Sequence, residues 1–166
     1  EIGIDVGRST VQAIFAEARR MGAKLLQVNH PYINYGYFRS QEEDAIPGGY
    51  SADFDLVEVN GGNDNEQTVR HAWTLWNQGQ RAYFSAGSDA HDVWKEPSGT
   101  ARMMVRVQGP LGVDAFVAAL KRGESYATQG PLLFPREQLG GEIRLSSGEP
   151  LALQVDVQAV NGLAAV

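Results

Sequence analysis

The sequence predicts an α/β protein: a parallel sheet or β/α barrel, followed from about residue 135 by the start of a small antiparallel β domain. Three observations carry this. Short apolar runs at 23–28, 54–59 and 81–86 are bounded by turn residues, as buried strands are. Helix-periodic segments at 9–21 and 65–77 alternate with them at the short intervals of a parallel α/β fold. Beyond Pro135 apolar and polar residues alternate over 142–145 and 151–159, the mark of half-exposed antiparallel strands. Domains are expected at 1–134 and 135–166.

The first helix is expected from Ser9 to Met21. Ser9 and Gln12 have capping-box spacing, Val11, Ile14, Phe15, Ala18 and Met21 recur at helical intervals, and Gly22 suits a left-handed stop. The strand 23–28 then runs into Asn29-His30-Pro31. Residues 32–50 are aromatic, polar and aperiodic, and read as a long functional or mobile loop. The strand 54–59 closes at Asn60-Gly61-Gly62-Asn63, and Asp64 or Asn65 caps a helix to Asn77 with Gly79 at its end. On that helix Trp73 and Trp76 read as core and His71 as solvent-facing. Strand 81–86 leads into Gly87-Ser88-Asp89-Ala90-His91-Asp92. A strand at 101–107, a helix at 114–122 stopped by Gly123, and a brief strand at 125–128 complete the α/β part.

Composition excludes several classes. With 43% hydrophobic and 20% charged residues the chain is ordinary globular material rather than disordered. The net charge of −6 comes with scattered basic residues, only Arg19–Arg20 and Lys121–Arg122 being adjacent, so no nucleic-acid groove is expected. The absence of cysteine removes disulfides, thiolate metal sites and cysteine nucleophiles. No apolar run approaches the roughly 18 residues of a membrane helix. The opening Glu1-Ile2-Gly3-Ile4-Asp5 has neither an initiator methionine nor a signal-peptide pattern, and reads as a chain entered partway through. Cytoplasmic and exported placements are both compatible with it.

Polar clusters end three expected strands: His30, then Glu58 with Asn60, then Asp89 with His91. In parallel sheets and barrels this edge is where side chains converge on a ligand. Asp89 and His91 have a D-x-H spacing that, on an extended segment, puts a carboxylate and an imidazole on one face for zinc, manganese or iron. The same residues are also good turn composition. His30 is open to two readings, a ligand or a hydrogen-bonded structural histidine. A buried Glu58 would need a partner such as a metal, an arginine or a ligand-bound histidine, whereas on a half-exposed strand it would face water. Asn60 reads as a turn residue. No G-x-S-x-G elbow is present, and Ser88 has no evident base.

Taken in order, Val28-Asn29-His30-Pro31, Phe54-Asp55-Leu56-Val57-Glu58-Val59-Asn60-Gly61 and Ser85-Ala86-Gly87-Ser88-Asp89-Ala90-His91-Asp92 resemble the PHP superfamily (polymerase and histidinol phosphatase). Within it they resemble the carbaryl-hydrolase-like, CehA/McbA-type metallohydrolases. Gly99-Thr100-Ala101-Arg102 resembles the family's Arg-bearing strand, and Tyr126-Ala127-Thr128-Gln129-Gly130-Pro131 its Thr-Gly-Pro-like segment. The resemblance implies a distorted β/α barrel, here its C-terminal portion, binding two or three divalent ions (zinc, manganese or iron).

It implies His30, Asp89 and His91 as metal ligands. Glu58 and Asn60 match a strand-end Glu-x-Asn pattern, a catalytic and a substrate-binding position; whether Glu58 touches metal or orients a ligand stays open. Arg102 is either a residue facing a substrate oxyanion or a surface charge on a strand. The implied function is hydrolysis of an ester, carbamate, amide or phosphoester of a small-molecule substrate by metal-activated water, including phosphoesterase chemistry. The other reading is a non-catalytic binding or structural module on the same scaffold. The family's opening H-x-H strand has no counterpart among the 3 histidines, His30, His71 and His91, so an incomplete metal site is expected.

Overall fold

The computed structural model describes residues 7–59, 65–95 and 98–160. They form a mixed α/β structure that divides into two compact units, Glu1–Ser85 and Ala86–Val166. The boundary expected near residue 135 falls inside the second unit. Three small sheets are present among the described residues, and none is closed into a barrel. No helix of the described residues is long and apolar enough to cross a membrane.

In the first unit, α1 (Val11–Arg20), β1 (Gln27–Val28), α2 (Tyr37–Glu42), β2 (Leu56–Glu58), α3 (Asn65–Asn77) and β3 (Tyr83–Ser85) follow one another. The three strands make a parallel sheet in the order β1-β2-β3, with Val28 opposite Val57 and Glu58 opposite Ser85. Every residue of β2 is buried, as befits a central strand covered on both faces. Arg19 fastens the end of α1 to the approach to β2 through Asp55 at 2.8 Å, and Asp55 Oδ2 also accepts the Leu26 amide at 2.7 Å.

The capping of α1 differs from expectation. Thr10, not Ser9, is the N-cap, its hydroxyl accepting the Ala13 amide at 3.2 Å. Gln12 is instead drawn away to the backbone carbonyls of Gly48 and Gly49. Gly22 does take the left-handed conformation, at φ 93°.

The segment 32–50 is not a bare loop. It contains α2, which drives Phe38 into the core beside Val28, Tyr32, Phe54, Val57 and Leu75. Burying such a ring contributes roughly 2 to 3 kcal/mol, which one short helix without an apolar repeat would otherwise lack. On α3 the buried residues are Thr68, Ala72 and Leu75. The tryptophans are not core: Trp73 is 52% and Trp76 37% exposed, the latter held by its indole N–H donating to the Ala82 carbonyl at 2.7 Å.

In the second unit β4 (Arg102–Val105) and β5 (Ser125–Thr128) pair antiparallel, joined by α4 (Val113–Lys121). The parallel alternation therefore ends at β3. The antiparallel appendage is present, but its first strand is β6 (Leu132–Pro135) and its second β7 (Val155–Gln158). Residues 142–145, expected as a strand, join no ladder. Pro135, which has no N–H, ends β6 in a two-stranded sheet where each strand is an edge.

Candidate functional site

The parallel register brings the C-terminal ends of β1, β2 and β3 to one edge of the first unit's sheet. Two expected site residues meet there. Glu58, the last residue of β2, is 7% exposed. One of its oxygens, Oε2, accepts the His30 backbone N–H at 3.1 Å and lies 2.9 Å from the His30 ring Nδ1. The buried carboxylate thus has the partner its burial requires.

His30 itself sits at φ 40°, a left-handed conformation that a non-glycine residue adopts at a cost of about 1 kcal/mol or more. The backbone hydrogen bond to Glu58 helps offset it. Beside Glu58 in register, Ser85 Oγ is buried and has no hydrogen-bond partner among the described residues. Buried polar atoms of this kind mark positions for water or ligand.

His30 also lines a cavity of about 390 Å³ between α1, the β1–α2 connection and the segment 45–47. That volume is within the small-molecule range. Its walls are mainly aliphatic and aromatic.

Asp89 and His91 follow β3 and belong to the second unit. Asp89 is at φ 48°, so the segment is not extended there as the D-x-H argument assumed. The left-handed turn nevertheless leaves His91 Nε2 3.8 Å from Asp89 Oδ1, both side chains being exposed. The next carboxylate, Asp92, caps a turn by accepting the amides of Trp94 at 2.7 Å and Lys95 at 3.1 Å. Ser88 Oγ accepts the Gly99 amide at 3.0 Å, so that hydroxyl is employed in the turn. Arg102 opens β4 with its side chain exposed. Asn60 lies outside the described residues.

Two clusters escaped the sequence. His71 is not solvent-facing: its ring stacks on Phe38 at 3.9 Å and 7°. Its Nδ1 lies 2.7 Å from the Tyr32 oxygen, and the Tyr32 hydroxyl donates to Glu42 at 2.7 Å. Since the phenol has one proton, His71 carries its own on Nδ1. Burial first, then the Glu42 carboxylate, hold the Tyr32 phenol far above its usual range, so it stays protonated. Burial pushes the His71 pKa down, with Glu42 opposing.

In the second unit Glu124 is 1% exposed, covered by the side chains that bind it: Arg122 at 3.1 and 2.8 Å, Gln108 at 3.0 Å and Gln138 at 3.2 Å. The Arg122 hydrogen bonds hold this carboxyl below its usual pKa. Neither cluster has a short-range spacing that would have announced it.

A catalytic zinc takes three protein ligands and leaves a fourth position open. Among the described residues no group of three or more His, Asp or Glu side chains is placed to hold an ion. His30 with Glu58, and Asp89 with His91, are pairs. These residues do not by themselves fit a complete metal centre. No protein-family model, curated protein or solved structure matches the chain.

Proposed function

We propose that the chain carries part of a metal-dependent hydrolase of the PHP type, in a β/α barrel whose further metal ligands lie outside the described residues. The observation that supports it is the His30–Glu58 pair. A strained histidine just past a strand end, held by its backbone N–H and set with its ring 2.9 Å from the same buried carboxylate oxygen, and bordering a small-molecule cavity, is built for orientation rather than for filling space. In this reading Glu58 is the positioning residue for His30, Asp89 and His91 supply further donors, Asn60 binds substrate, and Arg102 serves a substrate oxyanion. The bond cleaved is an ester, carbamate, amide or phosphoester.

The test is zinc, manganese and iron content by elemental analysis, on the chain and on His30→Ala, Glu58→Gln and the Asp89→Ala/His91→Ala double variant. Acyl-ester and phosphodiester hydrolysis are assayed beside it. Metal retained by the chain and reduced about tenfold or more by each variant, as loss of a ligand or its carboxylate partner produces, is the expected result. Metal content untouched by all three would sink the proposal. A second reading is a binding module without catalysis on the same scaffold. Hydrolysis above the metal-free background overturns it.

A further inference from the structure

The cavity beside His30 has a property that the hydrolase reading does not use. Its apolar walls come from Val11, Ile14 and Phe15 of α1, from Ile33, and from Ile46 and Pro47. None of the described residues lining it is Asp, Glu, Lys or Arg. Among the described lining residues only the His30 imidazole can take a charge, so a charged group entering would lose hydration with little to offset a cost of several kcal/mol. An uncharged, largely apolar molecule would lose nothing comparable and would gain the burial of its own surface.

The outer wall is a strap, 45–50, and its attachment is specific. At one end Asp44 is left-handed at φ 51°; at the other Gly48 and Gly49 are at 78° and 87°. Between them Val11 N–H donates to the Pro47 carbonyl at 3.3 Å. The exposed Gln12 side chain then spans three consecutive carbonyls, its amide 2.7 Å from Gly48 O, 2.9 Å from Gly49 O and 3.4 Å from Tyr50 O. Gly48 lies so close to α1 that a Cβ there would meet the Thr10 side chain at 2.5 Å. The wall is thus joined to α1 by one backbone bond and by one solvent-facing side chain, Gln12.

We propose that this cavity is a binding site for an uncharged, mainly apolar small molecule, and that Gln12 is the latch that keeps its outer wall in place. Neither claim needs a metal or a reaction, so both are tested on the metal-free chain.

The probe is the neutral fluorophore prodan, compared with the anionic anilinonaphthalene sulfonate. Hydrogen exchange at the Val11 amide reports the strap. Prodan binds the chain with the tighter Kd, and Ile33→Asp, which places a charge in the wall, abolishes binding. Gln12→Ala weakens prodan about fivefold, the worth of roughly 1 kcal/mol of lost hydrogen bonding, and speeds Val11 exchange while the far-ultraviolet dichroism is unchanged. Gln12→Glu, which turns a carboxylate on three carbonyls, does the same or more. Tighter binding of the anionic probe, or prodan binding indifferent to Ile33→Asp, overturns the site. Unchanged prodan affinity and Val11 exchange in both Gln12 variants overturn the latch. Failure of the hydrolase reading would appear only in metal content and turnover.

Discussion

His71 shows how one side chain couples stability to pH. Its ring lies flat on Phe38, its Nδ1 proton is given to Tyr32, and burial depresses its pKa from the ordinary 6.5. The folded state therefore binds fewer protons than the unfolded one in the window between the depressed value and 6.5. Stability from this group is complete above about pH 6.5 and is lost as pH falls through the folded pKa. Glu42, the carboxylate that faces it through Tyr32, opposes the shift without reversing it. In urea titrations at about pH 8 and pH 5, the wild type should lose more stability than His71→Gln, since the comparison cancels the carboxylates common to both. Equal losses would show that the ring is not desolvated. The sequence misled here for a physical reason: Tyr32 is 39 residues away, and helical periodicity sees only neighbours on the same helix. Glu58 was placed at a strand end because it terminates a buried strand, and His30 just past one, where local pattern and tertiary position coincide.

Elements were legible where their burial is one-sided and repeated. α3 and β3–β5 lie within a few residues of the expected spans because apolar spacing and glycine stops agree there. α2 was hidden because its case rests on one residue, Phe38, and on a tertiary acceptor. The Pro31 carbonyl receives the amides of Phe38 and Arg39 at 3.0 and 3.1 Å, taking up donors that the first turn leaves open. Gly36 permits that approach: a Cβ at this position would overlap the Pro31 carbonyl, although its own φ of −67° is ordinary. Gly36→Ala should accordingly destabilise by about 2 kcal/mol through overpacking alone. It should lower the urea midpoint at constant slope, and Phe38 with its aromatic neighbours should show altered near-ultraviolet dichroism. An unchanged midpoint would mean that α2 slides off Pro31 at no cost, and the helix would then not be what seats Phe38. The misread strand at 142–145 is the converse case. Alternation alone does not name a strand, since pairing is decided by tertiary neighbours that the local pattern does not carry.

At the scale of the whole molecule, solubility sets charge against exposed apolar surface. The net charge of −6 at pH 7 supplies mutual repulsion, and the isoelectric point near 5.0 is where that repulsion disappears. Opposing it are large apolar side chains left in solvent, concentrated in the second unit: Trp94 is 91% exposed, with Val93, Leu111 and Val113 also mostly uncovered. Single exposed apolar residues are ordinary, but adjacent ones on a loop act as a contact point once repulsion falls. Light scattering at fixed protein concentration should therefore rise as pH is lowered from about 7 toward about 5, with added salt raising it at pH 7 and having little effect near the isoelectric point. Val93→Ser with Trp94→Ser should reduce the scattering near pH 5 without moving its pH of maximum, because neither substitution alters charge. A double variant that scatters as strongly as the wild type would place the contact elsewhere, with Leu111 and Val113 next to be tested. A maximum that moves with the substitution would mean the association follows unfolding rather than neutralisation, which a denaturation midpoint at the same pH separates.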